Sequence, residues 1–129
     1  MMSAENRTSV LLVDDDADIC ETIQSGLERH GFRVTTFNDP NEALSRYVPK
    51  LYDKVVLDVK MPGITGFHLA KKIWAIDPEA KICFFSAFDI YEKEAKTMFK
   101  DFRTAFFIKK PIGPSELAKR ITENMQRYK

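Results

Sequence analysis

Apolar residues in this chain gather into five short runs separated by stretches with helical spacing. The runs are Ser9 to Val13, Phe32 to Phe37, Lys54 to Val59, Lys81 to Phe85 and Thr104 to Ile108, rich in the β-branched, aromatic and aliphatic side chains that favour strands. All but the second are nearly continuous in apolar residues, as strands covered on both faces are. Phe32-Arg33-Val34-Thr35-Thr36-Phe37 is mixed and suits a sheet edge.

Between the runs the period changes to that of a helix. Ile19, Ile23 and Leu27 recur on one face, and Gly31 stands where a helix often ends. Asp39-Pro40 supplies a cap and a first-turn proline for a second helix with Ala43, Leu44 and Tyr47 on one side. Phe67, Ala70, Ile73 and Trp74 mark a third, closed by Asp77-Pro78. A fourth covers roughly Ile90 to Phe99, with Ala95, Met98 and Phe99 facing inward, and a fifth opens at Pro114-Ser115-Glu116 and carries Leu117, Ile121, Met125 and Tyr128. Strand and helix alternate throughout, which predicts a doubly wound α/β domain with a parallel sheet. Ligands of such sheets bind beyond the carboxyl ends of the strands, where the winding reverses.

At 129 residues the chain is long enough for one domain with a substantial core. A net charge of +1 gives no general attraction to nucleic acid or anionic lipid, so partners must be sought in local sites. Cys20 and Cys83 lie in apolar segments without metal-ligand spacing and read as reduced core thiols, which predicts a cytoplasmic protein. No stretch has the length of a membrane span and the N-terminus has no signal-like apolar region, so membrane insertion and export are not expected.

Polar residues then fall in a telling place. Asp14, Asp15 and Asp16 follow the first run, Asp58 ends the third, Ser86 follows the fourth and Lys110 follows the fifth, all at the carboxyl edge. The three consecutive aspartates fit either a helix cap or a cation site. Asp58 sits within Val55-Val56-Leu57-Asp58-Val59, where burial would raise its pKa unless a cation compensated. Magnesium, which favours oxygen ligands and phosphate, suits that cluster, with Asp15 and Asp58 as direct ligands. A carboxylate so placed can take a phosphoryl group, with the Lys110 ammonium and the Ser86 hydroxyl meeting its oxygens. Lys109 is the alternative lysine; Pro111 favours Lys110, because a cis bond there would turn that side chain into the crevice.

These motifs resemble the receiver domain of two-component response regulators over about residues 8 to 126. The resemblance rests on Leu11-Leu12-Val13-Asp14-Asp15-Asp16, Tyr52-Asp53, Val56-Leu57-Asp58-Val59-Lys60-Met61-Pro62-Gly63 with Gly66, Ser86-Ala87 and Lys110-Pro111. It implies a flavodoxin-like fold of five parallel strands in the order 2-1-3-4-5 with five helices, as in chemotaxis members of the family. It also implies Asp58 as phosphoacceptor, Asp15 and the backbone carbonyl of Lys60 as further magnesium ligands, and Asp14 as the acid that orients a metal-bound water. Ser86, Lys110 and Phe107 match the family's phosphoryl-binding and switch residues, and Asp16 its variable third acid. Lys60 and Phe88 stand where family members tune phosphoryl lifetime; apolar Phe88 cannot orient an attacking water, which implies slow self-hydrolysis.

By the same resemblance the phosphodonor is a histidine kinase or histidine phosphotransfer protein. The output surface is the fourth helical segment, the fifth strand and the fifth helix, rich in Phe99, Phe102, Phe106 and Tyr128. Tyr91 and Phe102 are its candidate surface residues, for a downstream protein or a second copy of this chain, while Phe106 and Phe107 read as core at rest. The chain departs from the family's usual Gly-Ala pair before strand five, reading Lys100-Asp101-Phe102-Arg103-Thr104-Ala105-Phe106-Phe107. No helix-turn-helix segment follows the last helix, so direct DNA binding is not expected. Two other readings stand beside this one. Asp14-Asp15-Asp16 also fits the D-x-D of haloacid-dehalogenase-type phosphatases, and a receiver-like module could work by binding alone, without phosphorylation.

Overall fold

The structure, a computed structural model, describes residues 7–86 and 105–127, without the side chains of residues 105, 106 and 124–127. Five parallel strands form one sheet: β1 (Ser9–Val13), β2 (Arg33–Phe37), β3 (Lys54–Asp58), β4 (Ile82–Ser86) and β5 (Ala105–Lys109). Their order is β2-β1-β3-β4-β5, as the resemblance implied, and the mixed strand β2 lies at an edge. Four helices are described: α1 (Ala17–Arg29), α2 (Pro40–Ser45), α3 (Gly66–Ile76) and α4 (Pro114–Arg127). The fourth helical segment read from the sequence, together with Phe88, Tyr91, Phe99 and Phe102, lies outside the described residues, as do Tyr128 and the Phe106 side chain.

Period-two alternation divides the sheet's side chains between two core layers. Val10 and Leu12 of β1, Val56 of β3, Cys83 and Phe85 of β4 and Ile108 of β5 pack against α1 and α4. Leu11, Val13, Val55, Leu57, Ile82 and Phe84 pack on the other face, against α2 and α3. Both faces of the central strands are thereby removed from water, which is why their sequences run apolar without a break.

Strand ends follow hydrogen bonding rather than the limits of apolar runs. Phe32 does not open β2, because its N–H is taken by Leu27 O while Gly31 N–H goes to Glu28 O. With Gly31 at φ +90°, this is a Schellman exit from α1. Strand β3 ends at Asp58, one residue before the run's last apolar residue, Val59. Strand β4 is displaced by one residue, to Ile82–Ser86, because Ser86 pairs in register with Lys109 and its carbonyl accepts the Lys110 N–H at 2.7 Å. Strand β5 correspondingly reaches Lys109, and Thr104 lies outside the described residues.

The second helix is shorter than its apolar pattern and stops at Ser45, leaving Tyr47 beyond it. Tyr47 is buried all the same, because its hydroxyl donates to Asp77 Oδ2 at 2.7 Å, an atom that also accepts the Lys50 N–H at 3.1 Å. Asp77, the C-cap of α3, thus ties the segment after α2 to the end of α3.

Helices α1 and α4 meet where a Cβ on Gly26 would strike the Pro114 ring. Gly26→Ala is expected to lower stability by about 1–3 kcal/mol through overpacking, outweighing alanine's helical advantage of about 1 kcal/mol. Gly113→Ala, with nothing near its added carbon, is the control, and urea unfolding midpoints give both values.

Lys54 is 1% exposed, and burial pulls its ammonium from the ordinary 10.5 down to about 8 against an opposing pull from Cys83. The unfolded chain therefore binds more protons between those values, and stability rises with pH across that window. Denaturant titrations from pH 8 to 10.5 are expected to show wild type gaining on Lys54→Met by on the order of 3 kcal/mol.

Candidate functional site

The carboxyl ends of β1, β3, β4 and β5 converge on one crevice. Asp14 follows β1 and is fully buried, with every polar group of the residue engaged: its N–H donates to Phe37 O at 3.2 Å, and its Oδ1 accepts the Asp16 N–H at 3.0 Å. Its backbone carbonyl accepts from Cys20 Sγ at 3.2 Å and its Oδ2 accepts from Lys110 Nζ at 3.0 Å. Asp58, the last residue of β3, is 6% exposed, and its Oδ1 accepts from the same Nζ at 3.3 Å. Asp15 is exposed at the mouth of the crevice.

Asp16 is not part of this cluster. Its carboxylate caps α1, accepting from Asp18 N–H at 2.9 Å and Ile19 N–H at 3.3 Å. The cap reading of the aspartate triplet therefore applies to its third member, while Asp14 and Asp15 face Asp58. One carboxylate oxygen from each of Asp14, Asp15 and Asp58 lies within 4.8 Å of the other two. Hard oxygen donors packed this closely fit a small divalent cation such as Mg2+, whose charge would offset their mutual repulsion.

The charges of the crevice are strongly linked. Burial pushes the Asp58 carboxyl up to about 7; Asp14 adds to the rise, and the charge and hydrogen bond of Lys110 oppose it. For Lys110, burial acts downward, but the hydrogen bond and charge of Asp14, joined by Asp58, hold the ammonium above the usual lysine value. Burial, with the Asp14 charge, also pushes the Cys20 thiol up to about 11, so it stays protonated and donates to the Asp14 carbonyl.

Ser86 is buried at the end of β4, and the peptide joining Lys110 to Pro111 is cis. Lys110 points into the crevice while Lys109 is exposed. Phe107 points to the opposite face of β5, its ring 5.3 Å from that of Phe84 and 6.0 Å from that of Phe67. Lys60 lies exposed just beyond Asp58. Gly66 begins α3 directly against the backbone of Asp58, where an added Cβ would strike the Asp58 carbonyl, and its N–H donates to Val59 O at 2.8 Å.

Two contributors were not singled out as site residues from sequence. Cys20 read as an inert core thiol, and nothing local to α1 signals its bond to the Asp14 carbonyl. Phe85 read as one of a run of apolar strand residues, but its ring lies 4.8 Å below Lys110 Nζ. Strand parity could have placed it on the lysine's side of the sheet.

Residues 10–122 match the family described as the response regulator receiver domain. The C4-dicarboxylate transport transcriptional regulatory protein DctD of Rhizobium meliloti is 41% identical over 71 residues, 55% of this chain and 15% of that protein. The response regulator SaeR of Staphylococcus aureus is 30% identical over 123 residues, 95% of this chain and 52% of that protein. This chain thus spans at most about half the length of these relatives. The response regulator TrrA of Thermotoga maritima, solved in complex with Mg2+-BeF, superposes with a TM-score of 0.77 at 28% identity, covering 91% of this chain and 98% of that one.

The comparisons do not favour a haloacid-dehalogenase-type phosphatase, and they place the chain among response regulators rather than classical enzymes. They do not support the expectation of no direct DNA contact, since DctD is a transcriptional regulatory protein. Among the described residues, no helix is long and apolar enough to cross a membrane. The architecture, the acidic crevice and the match over residues 10–122 agree: the chain belongs to the response regulator receiver domain family.

Proposed function

We propose that Asp58 receives a phosphoryl group from the phosphohistidine of a histidine kinase or histidine phosphotransfer protein. The observation that carries this reading is the placement of a buried Asp58 carboxylate within 3.3 Å of the Lys110 ammonium, grouped with Asp14 and Asp15. An Asp58 oxygen attacks phosphorus, the phosphorus–nitrogen bond of the donor breaks, and its imidazole leaves with the electron pair. Lys110 meets the oxygens of the transferred group, and the Ser86 hydroxyl donates to one of them.

Mg2+ would be held by Asp15, Asp58 and the Lys60 carbonyl, with Asp14 orienting a water, and when bound supplies positive charge for the phosphoryl oxygens. Asp14 also holds the Lys110 ammonium, accepting from it at 3.0 Å. Residues 1–129 act in this reading as one receiver domain, with a core at about 8 to 126. Self-phosphorylation from small phosphodonors and slow self-hydrolysis belong to it, the latter on the strength of Phe88. A half-life of seconds for the purified phosphoprotein would overturn that part.

Once Asp58 carries the phosphoryl group as an acyl phosphate, Ser86 and Lys110 are drawn toward the new group, and Phe107 follows by changing its packing. The output is a shift between two conformers, driven by the phosphoryl group's better contacts in one of them. The responding surface is the fourth helical segment, β5 and α4, which would engage a downstream protein or a second copy of this chain.

Incubation with acetyl phosphate and Mg2+, followed by intact mass, is expected to add one phosphoryl group to wild type and none to Asp58→Ala. Chelation of the metal is expected to abolish the gain. Lys110→Ala should slow it on the order of a hundredfold, as loss of a charge-stabilising donor does, while Lys109→Ala stays near wild type. A wild-type protein without mass gain would defeat the phosphoacceptor reading.

A further inference from the structure

The Lys110 ammonium has a third neighbour, which phosphoryl transfer as described above does not use. Besides Asp14 Oδ2 at 3.0 Å and Asp58 Oδ1 at 3.3 Å, Nζ stands 4.8 Å from the centroid of the Phe85 ring. Sheet geometry makes this contact hard to avoid. Lys110 leaves the end of β5, whereas its carboxylate partners belong to the ends of β1 and β3, so the side chain must cross β4. Adjacent strands are about 4.8 Å apart, and the lysine stem has to lie on whatever β4 presents over that span.

What β4 presents is Phe85, which pairs in register with Asp58 on β3 and with Ile108 on β5. Phe85 shares a core layer with Ile108, two residues before Lys110 and so on the same side of the sheet, and is 2% exposed. An aliphatic residue there would supply a floor without attraction. The face of an aromatic ring attracts a cation, more strongly where water is excluded. That attraction does not titrate and does not depend on Asp58 remaining charged. Lys110 and Phe85 also line one cavity of about 280 Å³ with Asp18, Ile19, Ile23 and Ile112, which gives the lysine side chain room to swing away from Asp58.

We infer that Phe85 is a positioning residue: its ring holds the Lys110 ammonium beside Asp58, opposes that swing, and so sets how fast the phosphoryl group is received. The inference rests on the phosphoacceptor reading of Asp58.

The test compares wild type with Phe85→Leu and with a protein carrying pentafluorophenylalanine at position 85, which keeps the ring's approximate shape and reverses the charge of its face. Each is followed by intact mass during incubation with acetyl phosphate and Mg2+, and by NMR of the Lys110 ε-methylene protons, which the ring displaces upfield. Both replacements are expected to slow phosphorylation about fivefold, the factor to which about 1 kcal/mol of cation–ring attraction converts. The upfield displacement is expected in wild type, lost in Phe85→Leu and reduced with the fluorinated ring. A fluorinated protein as fast as wild type would reduce Phe85 to a packing residue and overturn the inference, as would a wild-type Lys110 without displacement. If wild type takes no phosphoryl group, the phosphoacceptor reading falls, and the NMR displacement alone decides whether Phe85 holds the lysine.

Discussion

A single ammonium held between two buried carboxylates is the constraint around which the carboxyl edge of this sheet is organised. Asp14 and Asp58 are nearly removed from water, and burying a carboxylate is costly unless an opposite charge lies beside it. Lys110 serves both from the far edge of the sheet. Its backbone is fixed by the hydrogen bond from its N–H to Ser86 O, and Asp14 is fixed through Phe37 O, Asp16 N–H and Cys20 Sγ. Among the described residues the crevice brings together three carboxylates and one lysine, an arrangement that fits a divalent cation.

Much of this was legible before any coordinates, because burial on both faces imposes continuous apolar runs, and crossover helices impose a change of period between them. The candidate site was legible for a related reason. A polar residue at the end of a buried strand has few places to go but the carboxyl edge, and Asp14, Asp58, Ser86 and Lys110 all have that position. Strand ends were less legible, since Phe32 is claimed by the exit from α1 and Ser86 by the ladder to β5, choices made by hydrogen bonds rather than hydrophobicity.

What stayed hidden depends on contacts between residues distant in sequence. Tyr47 and Asp77 are thirty positions apart and meet only when α2 and α3 share a face of the sheet. Lys54 begins an apolar run, and nothing in the local sequence signals that packing closes over it. The aspartate triplet shows a milder form of the difficulty: local sequence allowed capping and cation binding, and folding assigned the first role to Asp16 and left Asp14 and Asp15 facing Asp58.

The seating of Gly66 against the Asp58 backbone bears on how a local chemical event could spread. With no side chain between them, the first turn of α3 rests on the carbonyl of the residue that stands at the centre of the crevice, and a hydrogen bond to Val59 locks the two together. There is no compliant layer to absorb a displacement. A backbone adjustment at Asp58 would therefore bear on the first turn of α3, whose other end is tied through Asp77 to the segment that follows α2. What joins the helix to the crevice is the absence of a methyl group.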